Sequence, residues 1–135
     1  RRSDAFVPEL SLVAVLDDRI VGHILLTKVR IKNEVESFEA LTLAPVSVWP
    51  EHQRKGIGGQ LIEAAHRRAA ALGYKSVVLL GHADYYPRFG YEPCSKYGVR
   101  LPFDAADENC MIVGLSANAL EPLSGLVEYP KAFFE

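Results

Sequence analysis

The chain is poor in cysteine, in methionine and tryptophan, in excess charge of either sign and in long apolar runs, and each shortage removes a class of function. The two cysteines, Cys94 and Cys110, form no C-x-x-C pair and have no histidine at metal-ligand spacing, which argues against a disulfide-stapled scaffold and a zinc site. They read as free thiols of a protein in a reducing cytoplasm. Lysine plus arginine number 15 and aspartate plus glutamate 17, so a net charge of −2 offers no general attraction for nucleic acid or an anionic lipid surface. The longest apolar candidates, Ile20 to Leu26 and Ser76 to Leu80, fall far short of the roughly 20 residues of a membrane span. Arg1-Arg2-Ser3 is not followed by an apolar segment, which argues against a signal peptide, and the missing initiator methionine points to a fragment or a trimmed chain.

What is present suits one domain. A chain of 135 residues, 49% of them hydrophobic, has enough apolar material for a core without staples. No repeat, low-complexity tract or linker divides it, so residues 1–135 read as a single domain. Leu10 to Leu16 and Ile20 to Ile31, joined at Asp17-Asp18, predict a β-hairpin. Phe38 to Val48 predicts a third strand, in which Pro45 has no N–H for a ladder and so implies a bulge where the sheet opens.

Gly58 to Leu72 predicts a helix with Leu61, Ala65, Ala69 and Leu72 on one stripe, a Glu63–Arg67 pair, and Gly73 just past its end. Ser76 to Leu80 is a short unbroken apolar run, as expected of a central strand buried on both faces. Ala83 to Gly90 has room for one or two helical turns. Tyr91 to Leu101 and Asn109 to Ser116 read as strands, and Gly125 to Pro130 as a last edge strand. The fold class is α/β (α+β).

The stretch that carries chemistry is Gln53-Arg54-Lys55-Gly56-Ile57-Gly58-Gly59-Gln60, between a strand and a helix. Its glycines permit a tight turn and close approach of a ligand, the first helical N–H groups are free, and Arg54 and Lys55 add positive charge, which together suit a pyrophosphate. A Walker A loop needs G-x-x-x-x-G-K-[ST] and a dinucleotide fingerprint needs a third glycine where Leu61 stands, so neither fits.

The pattern [QR]-x-x-G-x-[GA], met by Gln53 through Gly58 between a proline-broken strand and an amphipathic helix, resembles the acetyl-CoA motif of the GNAT N-acetyltransferase superfamily. The order of elements is similar too, and Gly81-His-Ala-Asp-Tyr-Tyr-Pro-Arg-Phe-Gly-Tyr-Glu-Pro93, with Val99 to Phe103 and Val127 to Pro130, resembles its YhbS-like branch over about residues 10–134.

The resemblance implies a mixed, mostly antiparallel sheet splayed at the bulged strand and flanked by helices. The backbone of Val46 and Val48, with Ser47 between them, would pair with the pantetheine arm of acetyl-CoA. The N–H groups of Arg54, Lys55, Gly56, Ile57, Gly58 and Gly59, with Gln53 and Gln60 beside them, would hold the pyrophosphate.

It further implies direct transfer of acetyl to a primary amine of a small molecule or peptide, with no metal. The thiolate would be protonated by a tyrosine four residues before the short helix's glycine, Tyr86 against Gly90, with Tyr85 as the neighbouring candidate. His82, at the end of the central strand, is a candidate base or orienting group. The glutamate that many relatives carry on the bulged strand has no counterpart between Leu41 and Trp49, which leaves Ser47, Glu39 or a bulge carbonyl to position a water. His66 reads as a helix-surface residue and His52 as a loop residue near the phosphates.

The superfamily's usual first strand and helix have no counterpart ahead of the hairpin, with Phe6-Val-Pro8 as a remnant of that acceptor wall. A homodimer through the C-terminal strands, at Leu126 to Tyr129, is the expected assembly. Two other readings stay open, a CoA-sensing module without catalysis and a nucleotide-phosphate binder unrelated to CoA.

Overall fold

Alternating and continuous apolar runs give the described residues eight strands and one α-helix. The structure, a computed structural model, describes residues 5–134. In chain order the strands are β1 (Phe6–Leu16), β2 (Arg19–Lys32), β3 (Ser37–Val48), β4 (Ser76–Leu80), β5 (Glu92–Pro93), β6 (Val99–Arg100), β7 (Cys110–Gly114) and β8 (Gly125–Glu128), with α1 (Ile57–Ala71) between β3 and β4. They form one mixed sheet in the order β5-β7-β4-β3-β2-β8-β6, with β1 pairing the first part of β2. The contacts β3·β4 and β6·β8 are parallel, and the others antiparallel.

The helix starts where the glycines allow and stops where Gly73 does. Gly73, at φ 95°, closes α1 with its N–H on the Ala70 carbonyl, and the Tyr74 N–H reaches the Ala69 carbonyl, so the last turn is capped. Leu61, Ile62, Ala65 and Ala69 are buried against sheet residues such as Ile24, Leu26, Leu41 and Val77. Leu72 is 44% exposed and lies past the helix end, so Ile62 takes the place expected of it on the buried stripe. The opposite face of the sheet is covered by a second cluster, in which Val29, Ile31, Ala40, Val78 and Ile112 meet Val99, Leu101, Leu123, Val127 and Tyr129 from the C-terminal third.

Four expectations change. Phe6 to Pro8 is the start of β1, with Phe6 opposite Thr27 and Val7 in the core, rather than a separate wall remnant. The stretch from Tyr91 to Leu101 is not one strand: a 3₁₀ turn at Cys94–Tyr97 and Gly98 at φ 71° break it after Pro93. Nor is β8 the outermost strand along its whole length, because Arg30 to Lys32 pair with Leu126 to Glu128 on one side, and on the other Val99 and Arg100 pair with Gly125 and Leu126. Glu63 and Arg67 do not pair, the ion pairs among the described residues being Lys32–Glu128 and Lys96–Glu92.

Candidate functional site

The site begins at a fault in the sheet. Ala44-Pro45 is a cis peptide, and the β2–β3 register passes from Leu26↔Leu43 to Ile24↔Val46, so Ala44 and Pro45 of β3 stand against Leu25 alone of β2. Such a bulge turns over the side-chain alternation. Leu41 and Leu43 face α1 before it, and Val46 and Val48 pack toward the same helix-side core after it. On its other side β3 pairs with β4 only at Leu41↔Val77 and Thr42↔Val78, after which the two parallel strands part. The expected opening at Pro45 is therefore present, and it leaves the β4-facing edge of Val46 to Val48 without a ladder partner.

The opening continues into a cleft of about 870 Å³, lined by Val46, Ser47 and Val48 on one side and by His52, Gln53, Arg54 and the segment Gly56 to Gln60 at its head. Tyr85, Arg88 and Phe89 close the far wall, with Glu63 of α1 at the margin. That size falls within the range of small-molecule sites, roughly 300–1,000 Å³. Of the residues expected there, Lys55 alone of the loop stays outside the lining.

Local sequence explains the loop. Arg54 at φ 66° and Gly56 at φ 82° reverse the chain twice, and Gly56 is the N-cap of α1 with no side-chain cap hydrogen bond. The first intrahelical bond described runs from the Gln60 N–H to the Gly56 carbonyl, leaving the N–H groups of Ile57, Gly58 and Gly59 to the cleft. The Gln53 side chain donates to the Val48 carbonyl at 2.9 Å and so ties the loop to the end of β3. His52 Nδ1 is buried without a hydrogen-bond partner.

The two tyrosines part company. Tyr85 lies on the cleft wall, its hydroxyl about 3.5 Å from where a Cβ on Gly58 would stand, at the head of the helix. Tyr86 instead rests on the end of β4, where a Cβ at Gly81 would come within 2.5 Å of its ring. Gly81 is what lets the aromatic lie there. Burial, and then the neighbouring Tyr85, hold the Tyr86 hydroxyl above the ordinary tyrosine range. The two rings meet edge-on at 5.0 Å, and Tyr86 meets Tyr91 at 5.7 Å.

His82 is exposed, and what the structure shows of it is backbone: its carbonyl accepts from the N–H groups of Tyr85 and Tyr86 and so starts the turn that carries both. The turn is anchored by Asn109, whose side chain donates to the Gly81 carbonyl at 3.0 Å while its own carbonyl accepts from the Gly81 N–H. Ser47 lines the cleft, but Glu39 lies before the point where β3 and β4 part, in a groove with Gly73, Tyr74 and Lys75. It is too far down the strand to serve the opening.

Two residues escaped the reading of the sequence. His66 is not on the helix surface; its ring bonds the Tyr91 hydroxyl at 2.8 Å, and burial lowers its pKa to about 4. Arg88 stands in the cleft wall, its guanidinium 4.6 Å over the Tyr85 ring. The run Tyr-Tyr-Pro-Arg-Phe-Gly was its only signal. Cys94 and Cys110 are free thiols away from the cleft lining, and burial pushes the Cys94 thiol up to about 12, the opposite of a nucleophile's requirement. Among the described residues no helix is long and apolar enough to cross a membrane, and no cluster of three or more His, Cys, Asp or Glu is placed to hold a metal.

Comparison with known proteins points the same way. A family model described as an acetyltransferase (GNAT) domain matches residues 1–94. The chain is 42% identical over 103 residues to YjhQ of Escherichia coli K12, an uncharacterized N-acetyltransferase, covering 76% of this chain and 57% of YjhQ. It therefore matches little more than half the length of that relative. Against YhbS of the same strain, likewise an uncharacterized N-acetyltransferase, it is 29% identical over 133 residues, covering 98% of this chain and 78% of YhbS.

Among solved structures, the E. coli YhbS complex with CoA superposes with a TM-score of 0.85 at 27% identity, covering 93% of this chain and 69% of that one. A GNAT family acetyltransferase from Brucella melitensis in complex with acetyl-CoA gives 0.69 at 31%, covering 91% and 67%. With the family model matching well over half its length, and with the splayed strands and uncapped glycine loop in place, this chain belongs to the GNAT acetyltransferase family.

Proposed function

We propose that the chain transfers the acetyl group of acetyl-CoA to a primary amine of a small molecule or peptide, by direct attack of the amine on the thioester. The observation that carries this is the continuity of the β3–β4 opening with the uncapped head of α1 in one cleft. An extended pantetheine amide arm can pair with the backbone of Val46 and with the N–H of Val48, whose carbonyl already accepts from Gln53, as a strand adds to a sheet edge. Its pyrophosphate then falls on the N–H groups of Ile57, Gly58 and Gly59, beside Arg54 and the positive end of the helix. The complexes of YhbS with CoA and of the Brucella protein with acetyl-CoA support the same ligand here.

The amine nitrogen bonds to the thioester carbonyl carbon, the carbon–sulfur bond breaks, and acetamide and CoA thiolate result. The thiolate needs a proton. Tyr86, whose ring lies against Gly81 just past β4 and outside the cleft lining, is the donor in this reading, and a hydroxyl kept above the usual range holds its proton through neutral pH. Tyr85, with its hydroxyl at the head of α1, serves the phosphate end. The amine loses its proton to a water positioned by Ser47 or by a carbonyl of the bulge. The free thiols of Cys94 and Cys110 agree with a cytoplasmic setting.

The test is release of CoA from acetyl-CoA across a panel of primary amines. Amine-dependent release supports the transferase. Tight CoA binding with no release for any amine would instead favour a CoA-responsive module without catalysis, a reading that the lack of a carboxylate between Leu41 and Trp49 keeps in play.

A further inference from the structure

We infer that Arg88 reads the 3′-phosphate of the CoA ribose, and so makes this cleft selective for CoA over its dephosphorylated form; the inference rests on the CoA reading of the site. Three observations lead to it. Arg88 lies in the same cleft wall as Tyr85 and Phe89, whose rings reach Gly58 and Gly59 at the head of α1. Its guanidinium is already held in place, Nε donating to the Tyr85 carbonyl at 2.9 Å, Nη2 to the Asp84 carbonyl at 3.4 Å, and Cζ lying 4.6 Å over the Tyr85 ring. And it has no carboxylate partner, since the ion pairs among the described residues involve neither Arg88 nor the Glu63 that shares its cleft.

A guanidinium fixed by neutral carbonyls and an aromatic face keeps its full charge for a ligand, and its remaining N–H groups present a fork that suits a phosphate. The place along the ligand follows from exposure. Among the lining residues Val46 and Val48 are half-buried, whereas Arg88 is exposed, like Arg54 and Gln60 at the helix head. With the thioester directed inward and the pyrophosphate on the N–H groups of α1, the exposed side receives the nucleotide end. The anion there is the ribose phosphomonoester, which carries close to two negative charges at neutral pH. The helix head and Arg54 already answer the pyrophosphate, so the monoester is the charge that Arg88 is left to meet. Glu63, on the α1 side of the cleft, disfavours an anion lying toward the helix flank and so reinforces the Arg88 side.

Calorimetric titration of the full chain with CoA and with dephospho-CoA, for the parent and for Arg88→Ala, tests this. A charge-assisted contact at an exposed site corresponds to about a tenfold ratio in Kd, so the parent is expected to bind CoA about tenfold more tightly than dephospho-CoA, and Arg88→Ala to bring that ratio close to one. If removing the side chain unsettles the turn under Tyr85, Arg88→Lys, which keeps the charge and loses the fork, is expected to lower the ratio by at least about threefold. A ratio near one in the parent, or one that neither substitution changes, overturns the inference while leaving the CoA site intact. A parent that binds neither ligand overturns both the inference and the transferase reading.

Discussion

The strands β3 and β4 run parallel twice over, once as a closed ladder and once as an open wedge, and the two halves differ in almost nothing but one proline. Around Leu41, Thr42, Val77 and Val78 the strands are paired, covered on both faces and between 0% and 2% exposed. A few residues on, past the cis Ala44-Pro45 bond, apolar side chains of the same kind, Val46 and Val48, flank a cleft. Hydrophobicity alone does not separate a core from a binding wall. What separates them here is whether the backbone beside it has a ladder partner.

Predictions follow that division. Leu41→Ala, in the closed half, removes a fully buried side chain from the helix-side core and is expected to lower stability by about 3 kcal/mol in urea unfolding. A loss below about 1 kcal/mol would show that the closed half collapses around the change and is not the rigid part. Tyr86→Phe, in the open half, is expected to cut kcat about a hundredfold while the affinity for CoA is largely kept. Parent-like kcat would remove Tyr86 from proton transfer and turn attention to Tyr85.

His66 of α1 bonds Tyr91, and its lowered pKa of about 4 sets a pH dependence. Between about pH 4 and 6.5 the unfolded chain takes up a proton that the folded one refuses, so stability is full above about 6.5 and falls as the pH drops toward 4, by roughly 2 kcal/mol after allowing for partial solvation. Replacing the histidine, as His66→Gln, should flatten that part of the urea-midpoint profile, and an unchanged slope would assign it to carboxylates elsewhere. The smallest effect belongs to the loop. Gly56→Ala meets no atom within 4 Å but must hold φ +82°, so a stability loss of about 1 kcal/mol is expected from backbone strain, with a weaker CoA affinity if the turn relaxes.

Much of this was legible in the residues because local rules and the tertiary structure agree. Pro45 lacks an N–H and had to break a ladder; Gly73 and Gly90 stand where helical segments must end; Ser76 to Leu80 is too uniformly apolar to be anything but central. Within the motif, Gln53, Arg54 and Gly56 to Gln60 all reached the cleft.

The misses were long-range. His66 has a surface-like helix sequence around it, and only the arrival of Tyr91 from 25 residues away buries its ring. The start of the edge assigned to Leu126 to Tyr129 is covered, because Val99 and Arg100 pair with Gly125 and Leu126, and two-residue strands leave no periodicity to read. Tyr85 and Tyr86 are adjacent in a turn interrupted by Pro87, and no pattern in so short a segment decides which faces α1 and which faces β4.

The central claim is that the cleft is built for the whole of an acetyl-CoA molecule, with the unpaired strand edge taking the arm and the helix head only the phosphates. Side-by-side calorimetric titration of this chain with acetyl-CoA and ADP tests it most directly. The account predicts that acetyl-CoA binds at least about tenfold more tightly than ADP, because ADP leaves Val46 to Val48 unpaired. Equal affinity for the two would contradict it, and would reduce the site to a phosphate-binding loop.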